Sequence, residues 1–316
     1  MKIVRSLVIS LFVISAWYAP ARADVSVVVS IKPIHSLVAG VMEGLGTPTL
    51  ILKGAASPHT YSLAPSEARA LQNARVVFWV GHELEAFLEK PLMSLGTKAN
   101  TVELMDAPGL AKLEMREGGG FETHDHDHKD EHDHDRHSDK HDDDVDAHIW
   151  LDPENAKAMT RVIADALSEA DPAHAAAYAR NAEKLGARLD ALIREVRQTL
   201  EPVRGKGFVV FHDAYQYFER RFDVPAAGSI TVNPAVPPSV GRVKDIRDKV
   251  RALGAACAFA EPQFEPAIMK TVTEGTPART GVLDPIGAKL ADGPDLYFTL
   301  IRNMAHELKD CLSSGG

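Results

Sequence analysis

The sequence predicts an α/β protein of two lobes, each with a mostly parallel sheet and flanking helices, joined by one long linker helix. Two observations lead to this fold class. Short β-branched runs alternate with helical patterns in both halves of the 316-residue chain, which is typical of parallel strands connected by crossover helices. Between the halves, one amphipathic pattern continues for about 29 residues, or roughly 43 Å of helix.

The first 23 residues match a secretory signal peptide. Lys2 and Arg5 precede an apolar run over residues 6–17, and Ala21-Arg22-Ala23 supplies a small-residue cleavage site. The apolar run is shorter than the about 20 residues that a transmembrane helix needs. We therefore expect an exported protein that is cleaved after about Ala23.

The composition is that of an ordinary globular protein, with 45% hydrophobic and 25% charged residues, and the length suffices for two domains. Cleavage takes the formal charge from −9 to −12, because three basic residues leave with the signal peptide. An acidic exported protein favours cations as partners and argues against nucleic acid.

The N-terminal lobe is expected over residues 24–170. Strands are predicted where short apolar runs are rich in β-branched residues, at 25–31, 49–52, 76–80 and 101–104. Helical patterns cover 33–43, 65–71, 83–95 and 154–170. The stretch from 106 to 147 has neither pattern and is expected to be one long loop, which in a compact domain is usually functional or disordered.

The linker helix is expected over residues 171–202 and the C-terminal lobe over 203–316. Asp171-Pro172 is a typical helix start. Apolar residues then recur at steps of three and four along one face: Tyr178, Ala182, Leu185, Leu189, Leu192, Val196 and Leu200. In the second lobe, strands are predicted at 208–211, 227–231, 257–260 and 280–283, with helices ending at 222 and over 239–253, 266–274 and 296–312.

A His- and Asp-rich tract fills the long loop, whose disordered part is expected at about 115–146. It contains seven of the fourteen histidines: His124, His126, His128, His132, His134, His137 and His141. No apolar residue lies between Phe121 and Val145, so the tract cannot bury a face. Imidazole binds zinc and the carboxylates concentrate cations, which predicts loose, multiple metal binding. The alternatives are a solvated acidic loop or an expression tag, although a tag would be uniform and terminal.

Four potential metal ligands stand at equivalent places in the predicted fold. His59 follows the second strand, His148 directly follows the long loop, and His212 and Asp284 end strands of the second half. Ligands of open α/β sheets bind beyond the carboxyl ends of the strands, so facing lobes would bring these side chains to one cleft. Three imidazoles with a carboxylate or water suit tetrahedral zinc, whereas manganese prefers more oxygen ligands.

The remaining polar candidates have plainer interpretations. His35 is expected to be structural, and His82, His174 and His306 to lie on the surface or in ordinary packing. Glu261 ends a strand beside a proline, and it is a candidate to support a metal ligand from behind.

The two cysteines, Cys257 and Cys311, are expected to form a disulfide. An exported chain meets an oxidising compartment, where two cysteines in one lobe usually pair. The bridge would join the last helix to an inner strand. The alternative is a pair of buried thiols.

Six motifs distributed along the chain resemble the zinc-specific periplasmic solute-binding proteins of ABC transporters, a branch of the cluster A-I metal-binding lipoproteins and adhesins. The motifs are SPHTYSLAPS at 57–66, FWVG at 78–81, HIWLDP at 148–153, FHDAY at 211–215, EPQF at 261–264 and LDP at 283–285. The resemblance implies two α/β lobes joined by a long helix, with metal bound between them. It also implies a His-rich insertion between the first and second ligand histidines, where the tract lies.

The resemblance also implies roles for individual residues. His59, His148 and His212 match the three zinc-ligating histidines, and the manganese-type relatives have a carboxylate in place of His212. Asp284 matches an acidic position that ligates metal in the manganese-type relatives. Some zinc members carry Glu before the first histidine; this chain has Pro58, which leaves water or Asp284 as the fourth ligand. The cysteine pair resembles a disulfide of some members.

The resemblance implies a receptor, not an enzyme, that captures zinc in the periplasm and delivers it to an ABC permease. We expect it to be a monomer. One alternative is a manganese or iron receptor on the same scaffold, against which His212 and the tract argue. A second alternative is a zinc hydrolase with an open water position on the metal, but the sequence has no H-E-x-x-H motif.

Overall fold

Two four-stranded parallel sheets form the frame of the protein. The computed structural model describes residues 25–116, 145–231, 234, 239–252, 255–264 and 267–313. The predicted signal peptide and all seven tract histidines lie outside the described residues. Among the helices of the described part, none combines the length and apolar character needed to span a bilayer.

The first sheet contains β1 (Val27–Val29), β2 (Thr49–Leu50), β3 (Val76–Trp79) and β4 (Asn100–Glu103), in the order β2-β1-β3-β4. All three pairings are parallel. Helices α1 (Lys32–Val41), α2 (Pro65–Asn73), α3 (Ala86–Ser94) and α4 (Pro153–Ala170) belong to this half. Both faces of the central strands are buried, which explains why β1 and β3 read as unbroken apolar runs.

The second sheet repeats this winding. It contains β5 (Phe208–His212), β6 (Gly228–Thr231), β7 (Cys257–Ala260) and β8 (Arg279–Val282), in the order β6-β5-β7-β8, again with parallel pairings. Its helices are α6 (Gln216–Phe222), α7 (Val240–Ala252), α8 (Ala267–Thr273) and α9 (Leu296–Ser313). The predicted fold class is therefore confirmed, and most predicted boundaries shift by only one to three residues.

The linker helix α5 (Ala175–Leu200) is preceded by a 3₁₀ turn, Pro172–His174. Its α-helical part is shorter than predicted because both ends adopt 3₁₀ geometry, at Pro172–His174 and at Glu201–Val203. The predicted apolar face is buried against α1, α4 and α9. Since α9 comes from the C-terminal half and α1 from the N-terminal half, the linker packs in a core that both halves share.

The ends of the long loop are fixed on the second half of the molecule. Glu114 and Val145 form an antiparallel bridge. The Tyr217 hydroxyl, on α6, accepts from the Leu113 amide at 3.1 Å and donates to the Asp146 carbonyl at 2.7 Å. The His-rich tract therefore leaves and re-enters the described structure at one place.

Arg116 adds an ionic contact where the tract begins. Its guanidinium donates to the carboxylates of Asp213 and Glu219, both nearly buried. A bidentate guanidinium contact of this kind holds its partners more firmly than an exposed ion pair does. The N-terminal end of the tract is thus tied to α6.

Cys257 and Cys311 form the predicted disulfide, which joins β7 to α9 across 54 residues of sequence. Because α9 also packs on α1 and α5, the bridge ties the second sheet to the helical layer that both halves share.

Replacing both cysteines with alanine should lower the free energy of unfolding by roughly 4 kcal/mol, the loop-closure value for this separation. Urea unfolding with and without dithiothreitol would measure the change. The reductant should destabilise the wild-type protein and leave the Cys257→Ala/Cys311→Ala variant unaffected. Equal stability of the oxidised wild type and the double variant would contradict the account.

Candidate metal centre

His59, His148 and His212 converge on one point between the two sheets. Their ring centroids are 5.1 Å apart for His59 and His212, 4.9 Å for His148 and His212, and 5.5 Å for His59 and His148. Each ring offers a nitrogen within 4.8 Å of a nitrogen on both others. Three of the four predicted ligands are therefore brought together.

Each histidine reaches this point from a different element. His59 lies in the loop after β2, His148 precedes the 3₁₀ turn Ile149–Leu151, and His212 is the last residue of β5. Both loops and the strand end face the cleft at the carboxyl edges of the sheets, which is where the parallel topology directs ligands. The rings of His148 and His212 are almost completely buried.

Asp146 orients His148. Its Oδ1 lies 2.7 Å from the ring Nδ1 of His148 and also accepts from the His148 backbone amide at 3.0 Å. A carboxylate that accepts from Nδ1–H fixes the tautomer and leaves Nε2 as the free ligand atom. Sequence reasoning missed Asp146, although the spacing Asp-x-His was a usable signal.

Glu261 stands behind His212, as expected for a supporting group. Its Oε1 lies 3.6 Å from His212 Nδ1. Complete burial raises the pKa of Glu261 to about 8, partly offset by a hydrogen bond with Tyr215. The Tyr215 hydroxyl lies 3.2 Å from the Leu283 carbonyl, which places it against the second sheet.

Two of the three imidazoles, those of His59 and His212, are held neutral. Burial lowers the pKa of His59 to about 2, and the nearby rings of His148 and His212 lower it further. Burial likewise lowers the pKa of His212 far below its ordinary value, with a further contribution from His148. A neutral imidazole has the lone pair that a metal ion requires, so these rings do not need to lose a proton before binding.

Asp284 does not join the three histidines in this structure, so its role as the fourth ligand stays a prediction. Its Oδ1 accepts from the Gly287 amide at 2.9 Å and from Gln263 at 3.1 Å, and its Oδ2 accepts from the Ala288 amide at 2.6 Å. Both carboxylate oxygens are therefore occupied by the loop that follows β8. Among the residues that the structure describes, the three-histidine group contains no carboxylate.

Apolar side chains close one side of the site. Trp150 packs 5.3 Å from the His148 ring, and Phe264 lies 6.2 Å from the His212 ring. The other side opens into a cavity of about 360 Å³, which is also lined by Met115, Arg116 and Val145 at the ends of the tract. A cation can reach the histidines from the side where the tract begins and ends.

The other described histidines lie outside the group. His35 is buried, and its Nε2 contacts the Pro48 carbonyl at 3.0 Å, which is the predicted structural role. His174 pairs with Asp171 at the start of the linker, and His306 is exposed on α9. His82 lies at the rim of the cavity that leads to the three histidines.

A sequence model of the family described as "Zinc-uptake complex component A periplasmic" matches residues 27–311. A relative from Brucella suis biovar 1 (strain 1330), named high-affinity zinc uptake system protein ZnuA, is 53% identical and covers 96% of this chain and 98% of its own length. A protein of the same name from Yersinia pestis is 36% identical, with 92% of each chain covered.

Solved structures share the fold. The laminin-binding adhesin Lmb from Streptococcus agalactiae superposes with a TM-score of 0.74 at 26% identity, covering 91% of this chain and 99% of its own. FpvC from Pseudomonas aeruginosa, solved with Mn²⁺, gives a TM-score of 0.76 at 18% identity over 93% of this chain and 100% of its own, a likeness of fold alone.

The family match spans nearly all of the described residues, and the Brucella relative is more than half identical over the same length. Only two described residues at each end lie outside the matched region. The chain therefore belongs to the family of periplasmic component A proteins of zinc-uptake complexes.

Proposed function

We propose that this protein is a receptor that captures Zn²⁺ in the periplasm and delivers it to the membrane permease of an ABC transporter. The observation that carries the proposal is the group of three converging imidazoles between the sheets, two of which, those of His148 and His212, are buried. The names of the Brucella and Yersinia relatives, both high-affinity zinc uptake proteins, support zinc as the cargo.

The proposed ligands are His59, His148 and His212, with water in the fourth position. Three nitrogen donors and one water suit tetrahedral zinc, and a donor set poor in oxygen disfavours manganese. Asp284 is not proposed as a ligand in this geometry, because leaving its backbone amides would strip three donors from the carboxylate.

The His-rich tract is proposed to supply the site with zinc. The described residues on either side of the tract, Met115, Arg116 and Val145, line the cavity that opens onto the three histidines, so ions bound loosely by the tract would be concentrated near the entrance. Delivery of this kind changes the rate of loading and leaves the final affinity unchanged. Removal of residues 121–144 is structurally reasonable, because the bridge between Glu114 and Val145 already holds the loop ends together.

Release is proposed to require movement of the lobes or loops rather than mild acidity. With the pKa of His59 near 2, the folded protein resists protonation of this ligand at any pH that the periplasm reaches. Weakening the interlobe contacts would expose the rings to water and separate His212 from the other two. Contact with the permease is the event proposed to do this.

The first test is a competitive zinc titration of residues 24–316 lacking 121–144, repeated with manganese. One tight zinc equivalent and weak manganese binding are expected. His148→Ala should weaken zinc binding by roughly 100-fold or more, which exceeds the loss typical when a residue that only hydrogen-bonds to a ligand is removed. His174→Ala, which removes a histidine remote from the site, should bind like its parent. An absence of tight binding would make the tract the binding element and refute the proposal.

The second test concerns Asp146. Replacing it with alanine removes the acceptor from His148 Nδ1, and zinc affinity should fall by about 10- to 100-fold. Asp146→Asn retains an oxygen acceptor, so its zinc affinity should lie between those of the parent protein and Asp146→Ala. Asp190→Asn serves as the control, because Asp190 pairs with Lys157 on the outer helices. Unchanged affinity in Asp146→Ala would show that the contact does not orient the ligand.

The third test uses the pH dependence of stability in the metal-free protein. His59 is neutral when folded but takes a proton below its ordinary pKa of 6.5 when unfolded, so the stability it contributes is lost as the pH falls through 6.5. At pH 5.5 this loss is about 1.4 kcal/mol. Buried carboxyls of raised pKa, such as Glu261, act in the opposite direction, so only a difference between variants is diagnostic.

Urea unfolding at pH 7.5 and pH 5.5 would therefore compare wild type, His59→Ala and His174→Ala. Wild type and His174→Ala should lose about 1.4 kcal/mol more than His59→Ala between these pH values. Parallel losses in all three proteins would mean that His59 titrates normally in the folded state.

A further inference from the structure

A second group of potential metal ligands lies beside the cavity that leads to the three histidines, and two of its members, His82 and Glu83, line that cavity. His82 follows β3, Glu83 is next in the chain, and Glu103 ends β4. His82 Nδ1 lies 3.5 Å from Glu83 Oε2 and 3.6 Å from Glu103 Oε1. The three ligand atoms all lie within 4.8 Å of one another. The proposed zinc receptor function does not use this group.

Within the described part of the chain, one carboxylate oxygen of Glu83 is buried without a hydrogen bond. Its side chain is 8% exposed, and Oε2 has no hydrogen-bond partner among the residues that the structure describes. An unsatisfied buried carboxylate oxygen is costly, so native structures rarely keep one without a bound ion or water. The oxygen points toward His82 and Glu103.

Gly81 leaves room for this arrangement. A Cβ at that position would lie 2.6 Å from Glu83 Oε2 and 2.8 Å from Glu103 Oε1. Any larger residue would push the two carboxylates away from their meeting point. The absence of a side chain at Gly81 therefore allows the carboxylates of Glu83 and Glu103 to approach each other.

The two carboxylates repel each other where they meet. Burial raises the pKa of Glu103, and the charges of Asp106 and Glu83 raise it further, while His82 lowers it. A divalent cation between the oxygens would remove this repulsion and supply Glu83 with its missing partner.

We propose that His82, Glu83 and Glu103 form a second binding site for a divalent cation of the zinc class. In a tetrahedral zinc shell with bonds of 2.0–2.2 Å, two ligand atoms are separated by about 3.3–3.6 Å. The two separations that involve His82, 3.5 and 3.6 Å, match this geometry, and the two carboxylate oxygens lie within 4.8 Å of each other. The donor set of one imidazole and two carboxylates distinguishes this outer site from the three-histidine site.

The direct test is anomalous diffraction at the zinc edge from crystals of the full mature chain grown with excess Zn²⁺. A peak about 2.0–2.2 Å from the three ligand atoms is expected, present in His174→Ala and absent in Glu83→Gln. A peak at the three histidines with none at His82 would overturn the proposal, as would an undiminished outer peak in Glu83→Gln. The inner peak tests the receptor function separately.

A titration in solution provides a second measurement that does not depend on crystals. The full mature chain and its His82→Ala, Glu83→Gln and His174→Ala variants share the same tract, so its contribution cancels in the comparison. His82→Ala and Glu83→Gln should each bind one zinc equivalent fewer than the parent, with the tightest equivalent unchanged. His174 is a matched control, because its side chain is 42% exposed and that of His82 is 43% exposed. Equal stoichiometry in all four proteins would refute the outer site.

Discussion

The hydrogen bonds around Trp150 hold the two halves of the molecule in register. The indole Nε1 donates to the Pro285 carbonyl at 2.8 Å, and the Trp150 carbonyl accepts from the Tyr297 hydroxyl at 2.7 Å. Trp150 lies two residues after His148 and packs against its ring. Through these contacts the second half determines the position of a ligand that belongs to the first half.

Other contacts between the two halves also fix their relative position. Arg221, on α6, donates to both oxygens of Asp152 at 2.7 Å, and Asp152 also caps α4 through the Glu154 amide. Tyr217 holds the backbone on both sides of the tract. The three rings come from three separate elements, so they stay close together only if the two sheets do not slide relative to each other. The contacts described here oppose that movement, and the close packing of the shared core makes it costly.

Burial of the rings links metal binding to folding. Burial beside other imidazoles keeps His59 and His212 neutral, which suits metal ligation but works against the folded state in acid. A bound cation would use the lone pairs of the three rings, and by mass action it would stabilise the folded chain. The same reasoning applies at the outer rim, where convergent carboxylates are costly until a cation lies between them.

Much of the fold could be predicted from periodicity. The strands read as short apolar runs because both faces of each sheet are covered, and α5 reads as one helix because its apolar residues recur along a single face. Strand β2 is shorter than predicted because ladder pairing with β1 ends at Leu50, although Ile51 and Leu52 remain buried. The amides of Ile51 and Leu52 still donate to the carbonyls of Val29 and Ser30, both at 2.9 Å, so the chain keeps strand-like contacts beyond the end of β2.

The candidate site was partly predictable. The three histidines follow from strand-end positions and from the motifs around them. Asp284 stays a predicted ligand. The rule about strand ends selects it, but that rule does not detect a turn in which an aspartate accepts from the amides that follow it. The roles of Asp146 and Glu83 depend on burial and on partners brought together by folding, which single-sequence patterns do not report.

The central claim is that three imidazoles from both halves bind one zinc ion. X-ray absorption spectroscopy of the mature protein loaded with one zinc equivalent tests it most directly, with the His148→Ala variant measured alongside. The account predicts three imidazole nitrogens near 2.0–2.1 Å plus one oxygen in the wild type, and loss of one imidazole in the variant. An identical spectrum from both proteins would mean that the first zinc ion binds elsewhere, and it would contradict the account.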